Sequence, residues 1–213
     1  MLGASIYNIL SSNIINFIQY IFSIIFNRNL DKIKNIAIKT DVILVTITII
    51  IPALIVRYNI RLNLTVSFIF ILLYVFFNYL NNNVHKLYLN KEDRSIDNII
   101  KNKKESTNSI DIILQIFILI VTTFLLYIIG NLLGNTLENL CNKLYVSQRI
   151  IGILLGIVTS IPELITFFES QKYHKKNENN MLGVVEATNN LLTSNTLNLF
   201  IIESIGIVLI ILK

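Results

Sequence analysis

Six stretches of this chain are long and apolar enough to span a membrane as helices. Nothing else in the sequence constrains the fold as strongly. A spanning helix needs about 20 mainly apolar residues. The candidates are roughly 3–26, 41–57, 62–80, 110–138, 146–170 and 181–212, the second being short enough to recruit its flanks. Composition agrees: 54% of the residues are hydrophobic, only 15% are charged, and the mean hydropathy is +0.65. Those values exclude an ordinary soluble domain and give an all-α, polytopic membrane protein.

The polar stretch "NNNVHKLYLNKEDRSIDNIIKNKKESTNS" separates the first three segments from the last three. It divides the chain into a first half at 1–80, a loop at 81–109 and a second half at 110–213. Arg28, Lys32, Lys34, Lys39, the basic residues of the polar stretch, Lys172, Lys175 and Lys176 fall on one side of the implied topology. The other side holds only Arg57, Arg61, Lys143, Arg149 and Lys213. The richer side reads as cytoplasmic, which puts the central loop inside and both termini outside. On this reading the net charge of +5 serves orientation rather than nucleic-acid binding. The N-terminus lacks a basic n-region and is not read as a signal peptide. A single cysteine, Cys141, excludes an intramolecular disulfide, and His85 and His174 are expected in polar loops.

Within the fifth segment lies "GIVTSIPELITFFES", residues 156–170. Pro162 has no N–H and clashes with the carbonyl four residues back, at Val158. The kink exposes backbone oxygens next to the hydroxyls of Thr159 and Ser160. Glu163 stands one turn beyond Thr159 on the same face. Hydroxyls, carbonyls and a carboxylate in one place form an all-oxygen set suited to hard cations such as Na⁺ or Ca²⁺. A plain kink with an interfacial glutamate would look similar, but an intramembrane carboxylate is costly and is by default functional.

A second polar cluster, "TSNTLN", carries Ser194, Asn195 and Asn198, with Ser194 and Asn198 on one face. Such groups often hydrogen-bond between membrane helices, yet amide oxygens also ligate cations. "GASIYNIL" (3–10) lines up with "TSNTLNLF" (193–200), matching Asn8 to Asn198. The implied topology makes the two copies antiparallel, as in transporters built from inverted repeats.

"GIVTSIPELITFF" resembles the G-T-S-x-P-E signature of the sodium/calcium exchanger family of cation antiporters. "TSNTLN" is similar to that family's G-S-N-x-x-N/D motif, and "LGASIYNIL" looks like its first-repeat copy. The resemblance implies a metal site of Glu163, Thr159, Ser160, Ser194 and Asn198, with Asn8 from the first repeat. It implies no cofactor, with cations as the transported substrates: Ca²⁺ against Na⁺, K⁺ or H⁺. Val158 and Thr193 stand where the motifs have Gly, Ala4 where a hydroxyl is expected, and Asn198 where many members have Asp. A complete member has ten helices and a TS-x-PE segment in each half. This chain resembles the part from the end of the first repeat through most of the second. The implied partners are therefore cations, the lipid bilayer, and a complementary chain or second copy supplying the missing helices. A non-transporting subunit derived from an exchanger is the alternative.

Glu138, Glu186 and Glu203 also lie in or near apolar segments; Glu186 and Glu203 are candidate relays and Glu138 is interfacial. "GNLLG" and "GILLG" read as close-packing faces. No nucleophile–base pair, phosphate loop or Cys/His cluster points to an enzyme.

Overall fold

The computed structural model describes residues 2–89, 148–176 and 180–211, with scattered positions between 114 and 147. These residues are helices and short connections, with no strand among them. Five helical segments are long and apolar enough to cross a bilayer: Ala4–Phe26, Ile36–Tyr58, Leu64–Lys86, Arg149–Lys176 and Asn180–Ile211. The fourth expected segment, 110–138, falls largely outside the described residues, as do Glu138 and Cys141. Its described positions from Leu114 onward are helical and belong to a compact unit of their own, Asn90–Ser147.

The other unit, Met1–Leu89 with Gln148–Lys213, holds the elements that matter for function. They are α1 (Leu2–Phe26), a 3-10 turn (Leu30–Lys34), α2 (Ile36–Tyr58) and α3 (Leu64–Leu89). Then come α4 (Gln148–Thr159), α5 (Ile161–Lys176), α6 (Asn180–Thr196), a π-helical stretch (Leu197–Ile202) and α7 (Glu203–Ile211). Its polarity is inverted relative to a soluble domain. Asn13, Asn16, Asp41, Thr48, Ser160 and Asn195 are fully buried, while Phe68, Leu72, Val75 and Phe76 of α3 are exposed. Exposed apolar side chains suit hydrocarbon, and polar side chains inside hold the helices together.

Two expectations change at the element ends. α3 runs on to Leu89, past the expected boundary at 80, because its polar end has partners. Asn81 bonds Asn189 (3.1 Å), and His85 meets the buried Asp41 at 2.8 Å. His174 likewise sits on α5, not in a loop, and meets Glu186 at 2.8 Å.

α1 packs most closely on α4, through the G-x-x-x-G face. A Cβ on Gly152 would lie 2.9 Å from the Tyr7 Cβ, and one on Gly156 would lie 2.8 Å from the Asn8 carbonyl oxygen. Small residues let the two backbones approach, as membrane helix pairs require. α1 runs parallel to α4–α5, since Ser12 meets Ser160 and Ser23 meets Gln171. It runs antiparallel to α6–α7, since Ser5, Asn16 and Tyr20 meet Glu203, Asn195 and Thr188 in reverse order. That antiparallel pairing is the relation an inverted repeat produces.

Candidate cation site

The break between α4 and α5 falls at Ser160, and Pro162 becomes the second residue of α5. Proline is tolerated in a first turn because its missing N–H would have no intrahelical partner there. The break orients the three candidates from this segment differently. Ser160 is fully buried; its hydroxyl donates to the Gly156 carbonyl at 2.7 Å and to the Ser12 carbonyl at 3.4 Å. Glu163 is half-buried and accepts from the Ser194 hydroxyl at 2.8 Å through Oε1. Its Oε2 is buried without a hydrogen-bond partner. Thr159 is exposed, back-bonded to the Leu155 carbonyl at 2.9 Å, and Val158 is also exposed.

The structure therefore brings together Glu163 and Ser194, with Ser160 on the α1 side of the break. Thr159 stands apart from them. Asn198 is half-buried in the π-helical stretch, where its carbonyl accepts the Glu203 N–H. Asn8 lies on α1 beside α4, and its Oδ1 is buried with no partner. No hydrogen bond joins Asn8 to the other candidates among the described residues.

Two residues that meet the second cluster were not among the sequence candidates. Asn16 donates to Asn195 Oδ1 at 3.1 Å, and Asn195 donates to the Asn13 carbonyl at 3.5 Å. All three asparagines are fully buried. The signal that finds them is present in the sequence. "SSNIIN" (11–16) repeats the S-N-x-x-N spacing of "TSNTLN" (193–198) in full. The repeat that packs on the second cluster thus begins eight residues after "GASIYNIL", and Asn16, not Asn8, takes the place matching Asn198.

A second proline accounts for the position of Asn13. Pro52 lies inside α2 and offers no N–H to the carbonyl of Thr48. The Asn13 side chain supplies the missing donor, at 3.0 Å. Asn13→Leu should therefore destabilise the protein by about 1 kcal/mol, the order of one buried hydrogen bond. In a Pro52→Ala background, alanine donates its own N–H to Thr48, and the same change should cost much less. Thermal unfolding midpoints of the four proteins in detergent check this; equal costs in both backgrounds would refute the pairing.

After these bonds, acceptors are left over. Asn8, Asn13 and Asn16 Oδ1, Gln19 Oε1, Glu163 Oε2 and Glu203 Oε1 are buried without hydrogen-bond partners among the described residues. Buried polar atoms are nearly always paired, so each unpaired one calls for an explanation. Every one of these six is an oxygen, as are the unpartnered buried atoms on Asp41, Asn81 and Asn180. The surplus among these buried atoms consists of groups that bind hard cations.

Against known proteins, residues 114–213 match the model of the sodium/calcium exchanger protein family. This part of the chain is similar to the sodium/calcium exchanger family. The match takes in both TSIPEL and TSNTLN, the two exchanger motifs that meet at Glu163 and Ser194. α1, with its SSNIIN stretch, lies outside the matched residues and joins the exchanger motifs through packing. No curated protein and no solved structure matches the chain.

Proposed function

We propose that this protein works as membrane machinery for cation antiport, moving Ca²⁺ or a related cation against Na⁺, K⁺ or H⁺. The observation that carries the reading is the surplus of buried, unpartnered oxygens around α1 and Glu163. Glu163 holds the cation by charge. Ser160, Ser194 and the amide oxygens of Asn16, Asn195 and Asn198 replace its hydration shell. The cation is cargo, and the chemistry needs no cofactor. Alternating exposure uses the two irregular places in the backbone, the break at Ser160 and the π-helical stretch after Thr196. The Lys and Arg distribution supports a cytoplasmic central loop.

Partners follow from the outer face of α4–α5. Ile157, Val158, Ile161 and Ile165 are exposed beside the half-buried Glu163. Lipid alone would leave the carboxylate poorly solvated, so this face is assigned to a complementary chain or a second copy. The same exposure favours the second reading, a non-transporting subunit derived from an exchanger.

Reconstitution into liposomes separates the two. An antiporter takes up radioactive calcium when an outward Na⁺, K⁺ or H⁺ gradient is imposed, alone or with the complementary segment present. No uptake under any gradient, in either arrangement, would leave the subunit reading in place.

A further inference from the structure

The last apolar segment is not one uniform helix. α6 passes into α7 through the π-helical stretch Leu197–Ile202, where the Glu203 N–H reaches back to the Asn198 carbonyl. Residues on both sides of this stretch face α1. Asn195, before it, accepts from Asn16 at 3.1 Å, and Glu203, after it, accepts from the Ser5 hydroxyl. The two stand eight residues apart. At about 3.6 residues per turn, eight residues of α-helix would leave Glu203 roughly 80° away from the direction of Asn195. A π turn takes up one extra residue, about 100° of rotation, and returns Glu203 to the α1 face. The π turn therefore decides which way α7 looks, and Asn198 lies inside it.

What holds this uncommon turn comes from α3. Phe200, within the π turn, is fully buried. Its ring meets Phe70 and Phe77 of α3 edge-on, with centroids 5.7 and 5.1 Å away. Both partners are buried as well. They lie two turns apart on one face of α3, about 10 Å along its axis, and Phe200 fills the interval between them. Polar contacts close the grip on either side. Beyond the turn, the Ser67 hydroxyl donates to the Ser204 carbonyl at 3.2 Å. The Ser204 hydroxyl is shared between the Phe200 carbonyl at 2.6 Å and the Ser67 carbonyl at 3.2 Å. Before the turn, Asn81 donates to Asn189 at 3.1 Å. Ser67, Phe70, Phe77 and Asn81 form one helical stripe, so a single face of α3 holds the segment before, within and beyond its irregular turn.

We propose that Phe70 and Phe77 are positioning residues: by gripping Phe200 they hold the π turn, and the turn keeps α7 facing α1 in line with the TSNTLN cluster. Relaxation of the turn to α-helix would rotate Glu203 and Ser204 by about 100° about the helix axis and reorient Asn198 with them. α3 thereby governs the geometry of the candidate cation site without contributing a ligand to it. The grip is a property of the packing alone. Its effect on cation binding rests on the antiporter reading.

Cross-linking reads the rotation directly. In a Cys141→Ser background, Ser5→Cys with Glu203→Cys reports the facing of α7 beyond the π turn. Asn81→Cys with Asn189→Cys reports the seating of α3 on α6 before it. A short bis-thiosulfonate reagent is applied to the purified full chain in detergent, and size exclusion monitors folding. Phe200→Ala should lower the first cross-link about 5-fold, the effect of about 1 kcal/mol on a conformational balance. The second cross-link should stay within about 2-fold. Phe77→Ala should do the same and stands in if Phe200→Ala fails to fold. Phe77→Leu, which keeps most of the bulk, should restore the first cross-link. Equal Ser5–Glu203 cross-linking in all these variants overturns the proposal. Loss of both cross-links together also overturns it, because Phe200 would then be ordinary core between α3 and the rest. Calcium affinity, measured in the same phenylalanine variants without the introduced cysteines, should fall about 10-fold. Unchanged affinity alongside a lost Ser5–Glu203 cross-link removes Asn198 from the cation site and leaves the grip standing. Weakened affinity with that cross-link intact overturns the grip and leaves the cation reading standing.

Discussion

Glu163→Gln is expected to weaken Ca²⁺ binding at least about 100-fold, roughly 2.8 kcal/mol at 1.4 kcal/mol per decade. The variant should stay folded. Its carboxylate accepts one hydrogen bond, from Ser194, and glutamine retains an oxygen able to accept it. What is lost is the only charge in the central cluster, since the remaining candidates are hydroxyls and amides. Amides and hydroxyls can replace water around a cation but do not offset its charge. Calorimetric or isotope binding on a monodisperse sample reads the effect. Affinity within 2-fold or so of the unmodified protein would remove Glu163 from the site, whatever the flux assays show.

Gly156→Leu should abolish a monodisperse, folded product, for a reason independent of ions. A Cβ at this position would come within 2.8 Å of the Asn8 carbonyl oxygen and the Ser12 backbone nitrogen. Both are backbone atoms of α1, so no rotamer change relieves the overlap. Separating α1 from α4 would also pull Ser160 away from the Ser12 carbonyl. Overpacking of this kind typically costs about 1–3 kcal/mol, and more where backbone must move. Gly206→Leu is the matched control, because nothing lies within 4 Å of a Cβ there. Detergent size exclusion and thermal midpoints compare the two. Equal behaviour would mean that α1 and α4 do not approach as closely as the Gly152–Gly156 face indicates.

How much of the site was legible depended on which signals are local. TSIPEL singled out Ser160 and Glu163 as candidates because a proline and a carboxylate in an apolar run have few other readings, and the structure places both at the helix break. The same segment misplaced Thr159. Spacing put it on the Glu163 face of a continuous helix, but the break at Ser160 ends that helix, and Thr159 stays on the exposed side of α4. The first-repeat motif was legible in spacing but was set eight residues early, at Asn8. Both stretches are short polar patterns in apolar surroundings, and "SSNIIN" carries the complete S-N-x-x-N spacing. The orientation of Asn13 had its own trace in the sequence, at Pro52, thirty-nine residues away.

The sequence by itself determined that this is an all-α membrane protein, where its apolar segments lie, and that TSIPEL resembles the exchanger signature. Those properties depend on the length and composition of contiguous stretches, which a bilayer selects directly. Only the tertiary structure decided which oxygens meet. Helix rotation fixes which face of α1 looks inward, and the close approach at Gly152 and Gly156 sets its height against α4. A shift of one turn would separate Ser160 from Ser12 and Asn16 from Asn195. Interhelical registers of that kind arise from packing between distant segments, and no local pattern in a single sequence encodes them.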